Sequence, residues 1–122
     1  MISCTNFIYH LGEFNGSDLL EFQSCDLPER NKFQDFHSLY VEDTAFYWYL
    51  ECLFQEIVTG FDMFGDTRIT KKQWHEIMAL DVPSLFDADR SELERIQQTL
   101  TEIDLWVTEN VSESGSFLVL GV

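Results

Sequence analysis

The sequence predicts an α+β fold. Residues 1–122 form a single acidic domain with a small sheet from N-terminal strands and a C-terminal strand, and three to four helices between. Three observations lead there. The length of 122 residues matches one domain of the usual size, about 100–150 residues, and no repeat or composition shift divides it. The chain is 45% hydrophobic and holds 11 Phe, 4 Tyr and 3 Trp, which supplies a core; disordered chains are poor in aromatics. Short apolar runs bounded by turn residues occupy both ends, and helical periodicity occupies the middle.

Each element has a local cause. Asn6–Leu11 and Leu19–Gln23 are short apolar runs separated by the turn signal Asn15-Gly16. Leu27-Pro28 closes that region. Lys32–Val41 is ambiguous, because Phe33, Phe36, Leu39 and Tyr40 have helical spacing over a short stretch. Asp43–Val58 is the clearest helix, with Asp43 or Thr44 as cap and Thr59-Gly60 as stop. Phe46, Leu50, Leu53 and Ile57 share its inner face, which Tyr47, Phe54 and Val58 widen. Thr70-Lys71-Lys72-Gln73 has the form of a capping box and opens a helix to about Leu80, ended by Asp81-Val82-Pro83. Ser91-Glu92-Leu93-Glu94 has the same form and opens a long helix to about Glu109. Its inner stripe is Leu93, Ile96, Leu100, Ile103 and Val107. Phe117–Leu120 reads as a buried strand pairing back onto the N-terminal strands.

Charge narrows the partners. The chain has 22 acidic and 7 basic residues, a formal net charge of −15 at pH 7. Nucleic-acid binding requires Lys and Arg against phosphates, so neither nucleic acid nor an anionic membrane surface is an expected partner. A basic protein surface is. Residues 1–29 and 96–122 contain no Lys or Arg, so the strongest negative patch should draw on the two ends. Met1–Asn6 has no basic region and no long apolar run follows, which predicts no secretory signal and a cytoplasmic protein. Cys4, Cys25 and Cys52 are odd in number and lack a C-x-x-C pair, as reduced cytosolic thiols do.

The motifs for chemistry are thin. Asp62–Gln73 resembles an EF-hand calcium loop at Asp62, Asp66 and Ile69. It has Phe64, Thr67 and Gln73 where calcium binding wants an oxygen ligand, glycine and a bidentate Glu. A turn into a capped helix is the simpler reading, with a calcium sensor or metal-dependent enzyme as the rival. His10, His37 and His75 have no His or Cys partner at ligand spacing. Cys52 falls among apolar residues of the central helix, which suits an inert core thiol. No phosphate-binding glycine loop and no G-x-S-x-G is present. The expectation is a non-enzyme without metal or cofactor.

What remains is surface. The long helix turns Glu94, Gln98, Glu102, Leu105 and Glu109 away from its core stripe, with Trp106 at the flank. Trp48 falls in the polar stripe of the central helix. These seven residues are the candidate binding residues, since aromatic anchors within acidic surroundings suit a basic partner.

In composition and architecture the whole chain resembles the small cytosolic immunity proteins of bacterial toxin–immunity pairs, especially those of contact-dependent growth inhibition systems. The resemblance rests on one acidic α+β domain without a catalytic motif, and it transfers no residue roles. It implies a toxin inhibitor acting by protein–protein interaction on the cognate toxin domain, often a nuclease. The rivals are a phage-type acidic inhibitor that mimics nucleic acid and a structural subunit of a larger complex.

Fifteen uncompensated negative charges repel one another in the compact state, and salt screens that repulsion. The melting temperature at pH 7 is therefore expected to rise between low and physiological NaCl; a fall over that range would refute the repulsion argument.

Overall fold

The computed structural model describes residues 8–9, 19–25, 38–42 and 46–121. The Asn15-Gly16 turn, the Leu27-Pro28 break, the helical spacing from Lys32 to Phe36 and the Asp43 or Thr44 cap lie outside those residues, as do Cys4, His10 and His37.

Five strands form one antiparallel sheet: β1 (Ile8–Tyr9), β2 (Leu19–Ser24), β3 (Leu39–Glu42), β4 (Asp66–Thr70) and β5 (Ser116–Leu120). Their order is β1-β3-β2-β5-β4. The C-terminal strand thus joins the N-terminal strands, as the sequence predicts. It pairs with β2 through Phe22↔Val119 on one side and with β4 through Ile69↔Phe117 on the other.

Period-two alternation sends Leu20, Phe22, Leu39, Val41, Ile69, Phe117 and Val119 to one face, where all are buried. Glu21, Gln23, Tyr40 and Leu120 are buried as well, on the opposite face. There the Glu21 carboxylate is held by hydrogen bonds. Ser38 Oγ donates to its Oε2 at 2.6 Å, and Gln23 Nε2 donates to the same oxygen at 2.9 Å.

Helices cover the first face. A π-helical turn, Phe46–Leu50, leads into α1 (Glu51–Ile57). Then come α2 (Lys71–Met78), the single turn α3 (Val82–Leu85) and the long α4 (Arg90–Asn110). Phe22 is the hub of the core. It stacks on Phe117 at 5.7 Å between centroids and meets Phe46, Phe54 and Trp106 edge-on at 6.1–6.3 Å. Such aromatic pairs add about 0.5–1.5 kcal/mol each beyond the burial of their area.

The end of α4 is tied down by polar contacts. Lys71, 6% exposed, donates from Nζ to the carbonyl of Val111, the C-cap of α4, at 2.8 Å. A cation there satisfies a carbonyl left open by the helix end and complements its negative pole. Glu113 pairs with the same ammonium at 3.3 Å. Trp74 Nε1 donates to Asp104 Oδ1 at 2.9 Å. Among the described residues, no buried side-chain nitrogen or oxygen lacks a partner.

Several expectations are corrected. Leu39–Glu42 is a strand, because its alternation lets it pair with β2 and β1 at once. The capping box of α4 is Asp89 with Glu92: Glu92 N donates to Asp89 Oδ1 at 2.8 Å and Asp89 N donates to Glu92 Oε1 at 3.3 Å. Asp caps as well as Ser does and its charge suits the positive helix end, so the helix begins earlier than the Ser91 box implies. The predicted box at Thr70 and Gln73 forms, with Gln73 N donating to Thr70 Oγ1 at 3.1 Å. Tyr47 is exposed: the i→i+5 bonding of the π turn winds less per residue and carries it past the inner face. Cys52 is exposed too, on the polar side of α1 and away from the core.

Gly121 sits where two backbones meet. Its N–H donates to the Gly65 carbonyl at 3.0 Å. A Cβ there would lie 2.3 Å from the Met63 carbonyl oxygen and 2.6 Å from that of Gly65. Gly121→Ala should therefore cost about 1–3 kcal/mol, the range for overpacking. Gly65→Ala, whose Cβ would have only Asp62 oxygen at 4.0 Å, should stay within about 0.5 kcal/mol. Urea unfolding of both variants checks the contrast.

Candidate functional site

α4 supplies the site. Its inner stripe is set as predicted, with Ile96, Leu100, Ile103 and Val107 buried and Leu93 partly so. That stripe fixes the helix rotation and turns Glu94, Gln98, Leu105 and Glu109 to solvent, with Glu102 half-buried.

The structure gathers some of the candidate residues and separates others. Glu102, Leu105, Trp106 and Glu109 line a half-open groove of ≈ 190 Å³, together with Leu39 at the start of β3. Leu39 was not among the sequence candidates. No local signal links it to α4, although it stands more than sixty positions earlier in the chain. Glu94 and Gln98 lie on the same helix face but outside the groove lining. Glu94 is paired with Arg90 across one helical turn at 3.4 Å, so part of its charge is neutralised locally. Trp48 lies in the π-helical turn, and its side chain is outside what the structure describes.

Trp106, at the flank of that face, turns inward. It is only 6% exposed, packed edge-on against Phe22 and Phe117. It therefore belongs to the core and shows only an edge to the groove. The exposed apolar residue on this face is Leu105, 53% exposed.

The electrostatics are one-sided. The last turn of α4 carries no basic side chain, and residues 96–122 contain none. The helix C-terminus adds its negative pole to Glu102 and Glu109. The groove thus sets Leu39, Leu105 and Trp106 beside two carboxylates.

Other places with chemistry-bearing groups are occupied by structural work. A wider cavity of ≈ 410 Å³ is lined by Tyr49, Phe86, Asp87, Ala88 and Glu92. Its Glu92 is committed on both oxygens: Oε1 to the cap and Oε2 to the Tyr49 hydroxyl, which donates at 3.3 Å. Desolvation, reinforced by Glu92, raises the Tyr49 pKa above its ordinary value. In the calcium-like stretch, Asp62 Oδ1 accepts from Phe64 N at 2.9 Å to close a turn, and Asp66 begins β4. Among the described residues, no group of three or more His, Cys, Asp or Glu is placed to hold a metal ion. No helix among them is long and apolar enough to cross a membrane.

Comparison with protein-family models, curated proteins and solved structures finds no match to this chain.

Cys52 yields a test of its chemistry. Partial desolvation, with added repulsion from Glu51 and Glu56, raises its thiol pKa. The thiolate is the nucleophile, so at any pH near neutrality less of it is present than in an unstructured peptide. Iodoacetamide should alkylate Cys52 more slowly than a model peptide in a Cys4→Ser/Cys25→Ser background. The rate should keep rising at pH values where the peptide has levelled off.

Proposed function

We propose that this protein is a cytoplasmic immunity protein that binds and neutralises a cognate toxin domain of the nuclease class. The observation that carries the reading is the groove on α4, where Leu39, Leu105 and Trp106 stand beside Glu102 and Glu109 with no basic residue from position 96 onward. A nuclease cleft is lined with Lys and Arg to receive phosphates. An acidic face can occupy that cleft, and long-range attraction speeds the encounter to about 10⁸–10⁹ M⁻¹s⁻¹ at low salt. Rapid capture suits a toxin that arrives already active. The apolar lining supplies what bulk charge does not, a shape that separates the cognate toxin from others.

The rival of nucleic-acid mimicry fits this face less well. Glu94, Glu102 and Glu109 are eight and seven residues apart, about 10–12 Å along a helix axis. Duplex DNA presents one charge per about 1.7 Å of axis. A sparse row beside apolar side chains does not reproduce that charge spacing, so its fit to a toxin cleft rests on a few charge pairs and on apolar contact.

The test uses a candidate toxin domain and follows association by stopped flow against salt. Glu102→Lys/Glu109→Lys should leave the far-ultraviolet spectrum unchanged, slow association at low salt by about tenfold or more, and flatten its salt dependence. An unchanged association rate at low salt would place the interface elsewhere on the chain.

A further inference from the structure

The α4 groove has a size and a polarity that specify its occupant more narrowly than a basic partner. Its volume of ≈ 190 Å³ is below the range of small-molecule sites, about 300–1,000 Å³. It is room for one side chain. Its apolar lining is Leu39 and Trp106, both nearly buried, and the exposed Leu105. Glu102 and Glu109 stand beside it seven residues apart, about 10.5 Å along the helix axis. Two glutamates at that spacing are within reach of one planar cation.

We propose that the groove between α4 and the start of β3 is a receptor for a single arginine side chain of a partner protein, its aliphatic stem on Leu39, Leu105 and Trp106 and its guanidinium between the carboxylates of Glu102 and Glu109. The proposal deepens the toxin-binding reading and rests on it for the identity of the partner. The chemistry of the groove stands by itself. Charge complementarity requires a cation, because Glu102 and Glu109 line the groove near the negative end of α4, and among the described residues neither its lining nor the last turn of α4 contains a basic side chain. The apolar lining requires a stem to cover it, which excludes a bare metal ion. Two carboxylate acceptors favour the flat five-donor fork of arginine over the point charge of lysine. The other cavity is the control. Its Glu92 is held by the cap and by Tyr49, and it lies at the N-terminal end of α4, whose positive pole disfavours a cation.

The experiment needs no toxin. The whole protein, labelled with nitrogen-15, is titrated with N-acetyl-arginine methylamide, and in parallel with the lysine and norleucine analogues. Saturable shifts are expected at Leu39, at residues 102–109 and at the Trp106 indole N–H, tightest for arginine, weaker for lysine and absent for norleucine. Glu102→Gln/Glu109→Gln keeps the shape of both side chains, and should weaken arginine binding at least tenfold with the rest of the spectrum unchanged. Leu105→Ala, at an exposed position, should weaken it as well. The proposal is overturned if the shifts spread evenly over the acidic surface, centre on Asp87–Glu92, are not saturable, or persist at equal affinity in the double Gln variant. Arginine binding in the groove without toxin binding would refute the immunity reading alone. Toxin binding unaffected by the Gln pair would refute the groove alone.

Discussion

Everything in this fold depends on β5 lying between β2 and β4. The strand is near the C-terminus, yet it pairs with residues Glu21–Ser24 on one edge and Asp66–Thr70 on the other. Its Phe117 stacks on Phe22 and meets Trp74 and Trp106 edge-on. Without it, β4 has no strand neighbour and the core loses its central ring pair. The β2–β5 pairings join residues nearly a hundred positions apart, and the β4–β5 pairings about fifty. Loop-closure entropy must be met before they contribute, which is the general reason such topologies fold slowly compared with helical bundles. The connection from α4 into β5 is correspondingly well fastened: Lys71 bonds the Val111 carbonyl through Nζ and the Gly115 carbonyl through its backbone N–H. A buried lysine is tolerable there because a helix C-terminus offers it both an acceptor and a favourable field.

The same scaffold decides what α4 shows to the outside. Ile96, Leu100, Ile103 and Val107 seat the helix on the sheet, and Trp106 wedges its flank against Phe22 and Phe117. That leaves Glu102, Leu105 and Glu109 lining a groove that reaches β3 at Leu39. Stability and recognition are thus assigned to different residues of a single helix. The core residues hold the rotation of α4, and the two glutamates can change charge with little effect on folding, since exposed substitutions usually move stability by less than about 0.5 kcal/mol. Trp106 stands at the boundary, and its burial makes it a poor choice for separating the two roles.

Much of the fold was legible in the sequence by itself. The α+β class, the C-terminal strand returning to the N-terminal ones, the cap at Thr70 and Gln73, and the inner stripe of the long helix all follow from signals within a few residues of each other. So does the outward acidic face of α4, because a helix rotation fixed by five apolar residues fixes the opposite side too. The cap at Asp89 and Glu92 was readable by the same rule once Asp is counted among the capping residues.

The tertiary structure decided the rest. Thr67 and Ile69 alternate as strand residues do, but only pairing with β5 makes Asp66–Thr70 a strand in place of a loop. Leu39–Glu42 carried helical spacing and became a strand because β2 and β1 both offered it partners. Cys52 looked like a core thiol by its apolar neighbours in sequence, and its place on the polar side of α1 puts it at the surface. The groove itself needed Leu39 brought beside Glu102 and Glu109. Periodicity and capping act over one or two turns of chain, so sequence displays them directly. Strand partners and groove walls are chosen by contacts between distant segments, and those are settled only when the whole core closes.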